Sequence, residues 1–211
     1  MLAGELAALS GAFLWAVASV IYTRVGRAIP AAEMNLLKNL VAMAMLGLTV
    51  LLAGQALPAV AGPAVGLLLL SGVVGIGLGD TAYFETMRHL GARRALLLGI
   101  LAPPIAALLA LVLLQETLTP GAWLGVFVTV AGVAWVVTER TPGAAAASPF
   151  LLRGVLFGLL AALSQAGGAV LAHAALYETS VSALWGAFLR LAAGAVVALV
   201  WITLARRPVG R

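Results

Sequence analysis

Long apolar runs, separated by short polar or Pro- and Gly-containing connections, are the feature that most limits the fold of this chain. Each run is about 20 residues long, the length that an α-helix needs to cross roughly 30 Å of hydrocarbon. Only 9% of the residues are charged, which is too few to cover a surface that faces water. We therefore predict an all-α, polytopic membrane bundle with seven transmembrane spans, at residues 2–22, 35–53, 64–87, 95–114, 120–138, 152–174 and 182–204.

The basic character of the chain is explained by the membrane. A net charge of +5 would suggest nucleic-acid binding in a soluble protein, but here the basic residues flank apolar spans. We expect the lipid bilayer as a partner and no nucleic acid. The sequence has no cysteine, which excludes disulfides, thiolate nucleophiles and cysteine metal sites. Neither a metal nor a cofactor is predicted.

The distribution of positive charge predicts the orientation. Connections after even-numbered spans contain no Lys or Arg, whereas ten arginines lie in or directly flank the connections after odd-numbered spans and the C-terminal end. Positive loops face the cytoplasm, so we expect a multi-pass protein of the inner (plasma) membrane with its N-terminus outside. The ten residues are Arg24, Arg27, Arg88, Arg93, Arg94, Arg140, Arg153, Arg206, Arg207 and Arg211.

An internal repeat is suggested by the pentapeptide LAALS, at Leu6–Ser10 in the first span and Leu160–Ser164 in the sixth. In the span that follows each copy, Lys38 and Arg190 are lone cations at matching places. Because five spans separate the copies, the second would be inserted upside down, an arrangement common in secondary transporters. We predict a first repeat at 1–138, a linker at 139–151 and the start of a second repeat at 152–211.

The stretch from Gly79 to Val137 resembles the signature half of the EamA domain of the drug/metabolite transporter superfamily. The matching features are YFETMRHLGARRA, the mid-helix proline in LLGILAPPIAALLA, the QETLT that ends the fourth span, and GAWLGVFVTVAGV. The resemblance covers nearly the whole chain. It implies a secondary transporter, an exporter of a small metabolite or drug-like solute that works by alternating access. Such proteins usually have ten helices, so we expect the second repeat here to be truncated after two.

Polar groups inside spans are costly, and each is therefore a candidate for function. Arg190 lies near the middle of the seventh span, where neither interface is easily reached, and we expect it to bind substrate. Lys38 shares a face of the second span with Asn35, and it either snorkels to the interface or lines a cavity. Guanidinium and ammonium groups would suit an anionic or zwitterionic solute.

Further substrate-binding candidates lie on the first, fourth and sixth spans. Trp15 and Ser19 share a face of the first span, and Ser164 and Gln165 occupy the matching region of the sixth. The two pairs would converge if the repeats face each other, although core packing also accounts for Trp15. Pro103, followed by Pro104, interrupts the fourth span, which indicates either a kink or a binding site.

Asp80 has two interpretations. It lies inside the third span at a depth similar to that of Lys38, so the two could form an ion pair that closes a gate or braces the bundle. Alternatively, Asp80 is a carboxylate that couples transport to protons. Both remain open at this point. Small-residue ridges, at Ser71, Gly75 and Gly79, at Gly121 and Gly125, and at Gly154 and Gly158, predict close helix packing.

Two other classes of function were weighed. An intramembrane enzyme needs a catalytic constellation, but the chain has a single aspartate and two distant histidines, and it contains neither G-x-S-x-G nor H-E-x-x-H. We therefore expect no enzymatic activity. A non-transporting scaffold, or an incomplete transporter, remains the alternative to transport because the second repeat is short.

Overall fold

The computed structural model describes residues 2–26, 28–54, 62–115, 117–138, 149–177, 179 and 181–205. Within these ranges all regular structure is helical and no β-strand occurs, so the all-α prediction is confirmed. The elements are α1 (Leu2–Val25), α2 (Ala31–Leu52), α3 (Gly62–Ser71), a π-helix (Gly72–Asp80), α4 (Thr81–Gly99), α5 (Ala102–Leu113), α6 (Pro120–Thr138), α7 (Pro149–Leu176) and α8 (Ala183–Ala205).

Five stretches of the described chain form helices that are long and apolar enough to cross a membrane. They are Gly4–Val25, Ala31–Leu52, Gly62–Gly99, Leu151–Leu176 and Ala183–Ala205. Two further apolar helices, Ala102–Leu113 and Pro120–Val136, are shorter. The predicted multi-pass helical fold is confirmed at this level, whereas the five-plus-two inverted repeat stays a prediction.

The junction between the third and fourth predicted spans differs from expectation. The sequence predicts a connection of several residues after position 87, but the helical run continues from Gly62 to Gly99. A single residue, Gly91, breaks it with φ 78° and ψ 171°. Such dihedrals are strained for any residue with a Cβ, so glycine lets the chain change direction without a loop. When the helical run is divided at Gly91, the helices of the described chain follow one another in the predicted order.

The polarity of the molecule is reversed relative to a soluble domain. Large apolar side chains face outward, with Leu9 68% and Leu52 80% exposed. Polar side chains lie inside, and Ser19, Asn35 and Asn39 are fully buried. Lipid tails solvate the apolar exterior, while the polar groups must find partners within the bundle. The interior is therefore where the functional groups are to be sought.

The π-helix packs directly against α7 along the predicted ridge of Ser71, Gly75 and Gly79. Ser71 Oγ donates a hydrogen bond of 2.6 Å to the carbonyl of Gly168 on α7. A Cβ placed on Gly168 would lie only 2.7 Å from the Cα of Gly75. The two backbones are in contact because neither position carries a side chain, which confirms this packing seam.

The other two predicted ridges have different outcomes. On α7, a Cβ at Gly154 or Gly158 would lie 2.5 Å or 2.4 Å from a leucine side chain of α4, so close packing is confirmed there. On α6, no described atom lies within 4 Å of a Cβ placed at Gly121 or Gly125, and that prediction is wrong for the described residues. Both glycines are exposed, and the described contacts of α6 with α4 and α5 therefore do not involve this ridge.

Parts of two predictions fall outside the described residues. The predicted linker 139–151 is described only from Pro149, which begins α7. Half of the arginines that predict the orientation, namely Arg27, Arg140, Arg206, Arg207 and Arg211, are also not described.

Candidate functional site

The π-helix is held in its register by a side chain of α2. Asn35 Nδ2 donates hydrogen bonds of 2.8 Å to the carbonyl of Ile76 and 3.3 Å to that of Gly77. Thr81 Oγ1 donates a further bond of 2.7 Å to Gly77. A π-helix pairs its backbone five residues apart and is rare outside short, often functional, segments. Asn35 was predicted to bind substrate, but it is fully buried and its amide is occupied by this backbone.

Replacing Asn35 with leucine is expected to lower the free energy of unfolding by about 1–3 kcal/mol, because the Ile76 carbonyl loses its side-chain donor and the Gly77 carbonyl keeps only the bond from Thr81 among those described. Thermal unfolding in detergent micelles measures the effect. Leu37→Ala is the matched control, since Leu37 lies on the same helix with 53% of its surface exposed. An Asn35→Leu variant as stable as the control would show that the π-helix does not need this amide.

Asp80 ends the π-helix and joins three helices. Lys38 Nζ, on α2, pairs with Asp80 Oδ2, so the predicted ion pair is present. Gln165 Nε2, on α7, donates a bond of 2.6 Å to Asp80 Oδ1. The side chains of Lys38 and Asp80 are 14% and 8% exposed. Both carboxylate oxygens thus have a donor, which is what a charge in a low-dielectric interior requires.

A cavity of about 570 Å³ lies beside this cluster. Trp15 and Tyr83 stack on one another in its wall, with ring centroids 5.7 Å apart and planes at 27°. Ser19 Oγ lies 3.3 Å from the Tyr83 hydroxyl and orients it, although Ser19 itself does not line the cavity. The volume is within the range of small-molecule sites. The polar or irregular positions in its wall are Trp15, Asp80, Tyr83, Gly99, Ile100, Pro103 and Gln165.

The predicted interruption of the fourth span lies in the same wall. The helix breaks between Gly99 and Ala102, before Pro103 and Pro104. Because proline has no N–H, the carbonyls of Gly99 and Ile100 lack their usual donor four residues ahead. In a membrane such groups are tolerated where they face protein or a cavity. Gly99, Ile100 and Pro103 all line the cavity.

Arg190 lies outside the cavity wall. Its backbone packs against the π-helix, where a Cβ on Gly72 would be 2.3 Å from the Arg190 carbonyl oxygen. Its guanidinium passes Gly75, with Nη2 3.7 Å from a Cβ placed there. Nε is buried and has no hydrogen-bond partner among the described residues. Arg190 thus faces the protein interior and lies within electrostatic reach of Asp80.

The structure therefore divides the predicted site residues into two groups. Trp15, Asp80, Pro103 and Gln165 line one cavity, whereas Asn35, Lys38, Ser19, Ser164 and Arg190 surround it without lining it. Ser164 packs against the ridge, with its Cβ 3.2 Å from a Cβ placed on Gly79. Tyr83 was missed, although it lies three residues after Asp80 and hence on the same helical face. The described residues contain no group of three potential metal ligands.

Comparison with known protein families identifies the family that this chain resembles. A model of the EamA-like transporter family matches residues 2–138. The matched range contains the cavity wall contributed by α1, the π-helix, α4 and α5, and it leaves out Gln165 and the rest of α7. No curated protein matches the chain.

Proposed function

Because the chain belongs to the EamA-like transporter family, we propose that it is a secondary transporter that exports a small metabolite or drug-like solute across the inner membrane. Family membership implies a multi-pass membrane transporter and not an enzyme. Alternating access is the proposed mechanism: one block of helices rocks against the other around a site in the middle of the membrane.

The main support for this proposal is the cavity between the two blocks of helices, which are the first predicted repeat (1–138) and the start of the second (152–211). Its wall combines Trp15 and Tyr83 from the first block with Ala161, Ala162 and Gln165 from α7. A site at the junction of two blocks opens and closes when they move relative to one another, which alternating access requires. An apolar wall with a few converging polar groups also suits a small amphipathic solute.

We further propose that Asp80 is the gate. Its bonds to Lys38 and Gln165 connect α2 and α7 through the π-helix, and thus join the two predicted blocks. Protonation of the carboxylate would cancel its attraction for Lys38 and weaken the bond from Gln165. The blocks would then be free to separate, which couples a proton to the change of access. Arg190, with Nε unpartnered in the described chain, is the cation placed to attract Asp80 after Lys38 leaves.

Replacing Trp15 with alanine is expected to reduce transport about tenfold or more, because a large aromatic anchor of the cavity is removed. The purified chain is reconstituted into proteoliposomes with an imposed pH gradient, and the flux of a panel of small amphipathic solutes is compared with that of empty liposomes. Phe13→Ala is the matched control, since Phe13 is on the same helix, 69% exposed and outside the cavity wall.

Saturable flux that falls in Trp15→Ala and persists in Phe13→Ala supports the proposal. Flux that never exceeds the empty liposomes contradicts it and favours a non-transporting scaffold. Equal flux in the two variants would contradict the assignment of this cavity as the transport site.

A further inference from the structure

The polar groups of the cavity wall that are left for a solute are mainly acceptors of hydrogen bonds, because the Tyr83 hydroxyl bonds to Trp15 and Ser19 and so occupies the donors of the aromatic pair. Asp80 contributes a carboxylate, and Gly99 and Ile100 contribute carbonyls that the two prolines leave without their usual helical donor. Gln165 uses one N–H of its Nε2 amide to donate to Asp80, which leaves its Oε1 acceptor and a second N–H for other partners. The wall is therefore better suited to a solute that brings donors than to one that brings acceptors.

The charges beside the cavity also favour a solute that brings donors, and in particular a positively charged one. Asp80 lines the cavity, whereas its counter-ion Lys38 lies behind it on α2 and does not. Arg190 is also outside the wall. The pair thus presents its negative end to the cavity, and no lysine or arginine is among the described residues that line it. A positive group on the solute gains from this arrangement, and a negative group is repelled.

The aromatic part of the wall favours the same chemistry. Trp15 and Tyr83 form a stacked pair next to Asp80. Aromatic faces carry a partial negative charge and attract cations, with tryptophan the strongest. The remaining wall, which includes Ile76, Leu96 and Ala161, is apolar and receives the hydrocarbon part of a solute.

We propose that the cavity binds amphipathic solutes that carry an ammonium group, with the ammonium directed at Asp80 and the carbonyls of Gly99 and Ile100. This proposal rests on the proposed function, since it assigns the substrate class of the same site. Among the solutes expected from the sequence, it retains the zwitterion and disfavours the purely anionic one. The reason is that Lys38 and Arg190, on which that expectation depends, do not line the cavity.

Binding also acts on the gate. A solute ammonium beside Asp80 competes with both Lys38 and Gln165 for the same carboxylate, so an occupied cavity weakens the connection between the π-helix and α7. The solute itself thereby favours the rearrangement that carries it across.

Three probes with the same indole ring and different side-chain charge test the proposal: tryptamine is cationic, tryptophol neutral and indole-3-propionate anionic. Binding to the purified wild-type chain is measured by isothermal titration calorimetry in detergent micelles, and protein-free micelles provide the correction for partitioning. We expect tryptamine to bind roughly tenfold more tightly than indole-3-propionate, with tryptophol between them.

Substitutions in and beside the cavity wall test whether the preference for the cationic probe depends on this cavity. Asp80→Asn combined with Lys38→Met removes the ion pair without leaving a lone buried charge, and we expect it to reduce the preference for tryptamine to less than about twofold. Trp15→Ala is expected to weaken all three probes, and Phe13→Ala to leave them unchanged. The wild-type series alone decides the charge preference should the double variant fold poorly.

Indole-3-propionate binding as tightly as tryptamine would overturn the inference, as would the failure of all three probes to bind or a preference that survives in the double variant. These results are distinct from failure of the proposed function, because binding in micelles requires no flux. Tryptamine preference without flux in proteoliposomes retains the site and rejects transport. Flux confined to anionic solutes retains transport and rejects the ammonium.

Discussion

The substitution Gly168→Ala is expected to lower the free energy of unfolding by about 2–3 kcal/mol, the upper part of the range of about 1–3 kcal/mol that is typical when well-packed interiors are overfilled. The added Cβ would lie 2.7 Å from the Cα and 3.0 Å from the N of Gly75, and 3.1 Å from the carbonyl oxygen of Ser71. All three atoms belong to backbone, which cannot rotate away as a side chain can. The helices must separate, and the bond from Ser71 Oγ to the Gly168 carbonyl is then lost.

Gly66→Ala provides the matched control for this change. Gly66 lies on the same helical run as Gly75, but no described atom is within 4 Å of a Cβ placed there. Glycine to alanine in an open helical position normally stabilises by roughly 0.5–1 kcal/mol. The two variants should therefore shift the unfolding temperature in opposite directions. Equal shifts would mean that α7 does not contact the π-helix as closely as the structure shows.

The substitution Asp80→Asn is expected to abolish flux and to lower the free energy of unfolding by about 3–5 kcal/mol, because it leaves the mostly buried ammonium of Lys38 without its counter-ion. Proteoliposome flux and thermal unfolding in micelles measure the two effects separately. The variant retains the size of the side chain, so packing against Gln165 is not the cause of a loss.

A second substitution distinguishes a role of Asp80 in gating from a purely structural role of the Lys38–Asp80 ion pair. Lys38→Met in the Asp80→Asn background removes the lone cation and should recover most of the lost stability, since a buried ion pair is often replaceable by apolar groups. Flux should remain absent, because the titratable carboxylate is still missing. Recovery of both stability and flux would show that the pair only braces the bundle, and wild-type flux in Asp80→Asn alone would remove Asp80 from the mechanism.

Those features of the fold that depend on a single segment of sequence, such as helix limits and interruptions, were predictable. Hydropathy placed the helices close to their observed limits, and the prolines at 103 and 104 predicted the interruption near Gly99. The Ser71, Gly75 and Gly79 ridge predicted a close contact, because spacing on one helix defines a face. The partner of that face, Gly168, was not predictable, since nothing in a segment identifies the helix that will pack on it.

The candidate site was predictable only in part for the same reason. An ion pair of Asp80 with Lys38 was one of the two interpretations that the sequence left open, because a charge in hydrocarbon gains from an opposite charge at its depth. Asn35 was assigned to substrate, yet its amide is bonded to the π-helix, a backbone register that hydropathy does not reveal. Tyr83 was overlooked because its stacking on Trp15 joins residues far apart in the chain.

The sequence alone determined that this chain is helical, that lipid surrounds it and that its few polar groups lie inside, because the cost of polarity in hydrocarbon acts on each segment separately. Only the tertiary structure decided which polar groups share a cavity. It turned Asp80 and Gln165 toward Trp15, placed Lys38 and Arg190 outside the wall, and let a single glycine at position 91 replace a loop. Those outcomes depend on the packing of distant helix faces, a sum of many small contacts that no local pattern records.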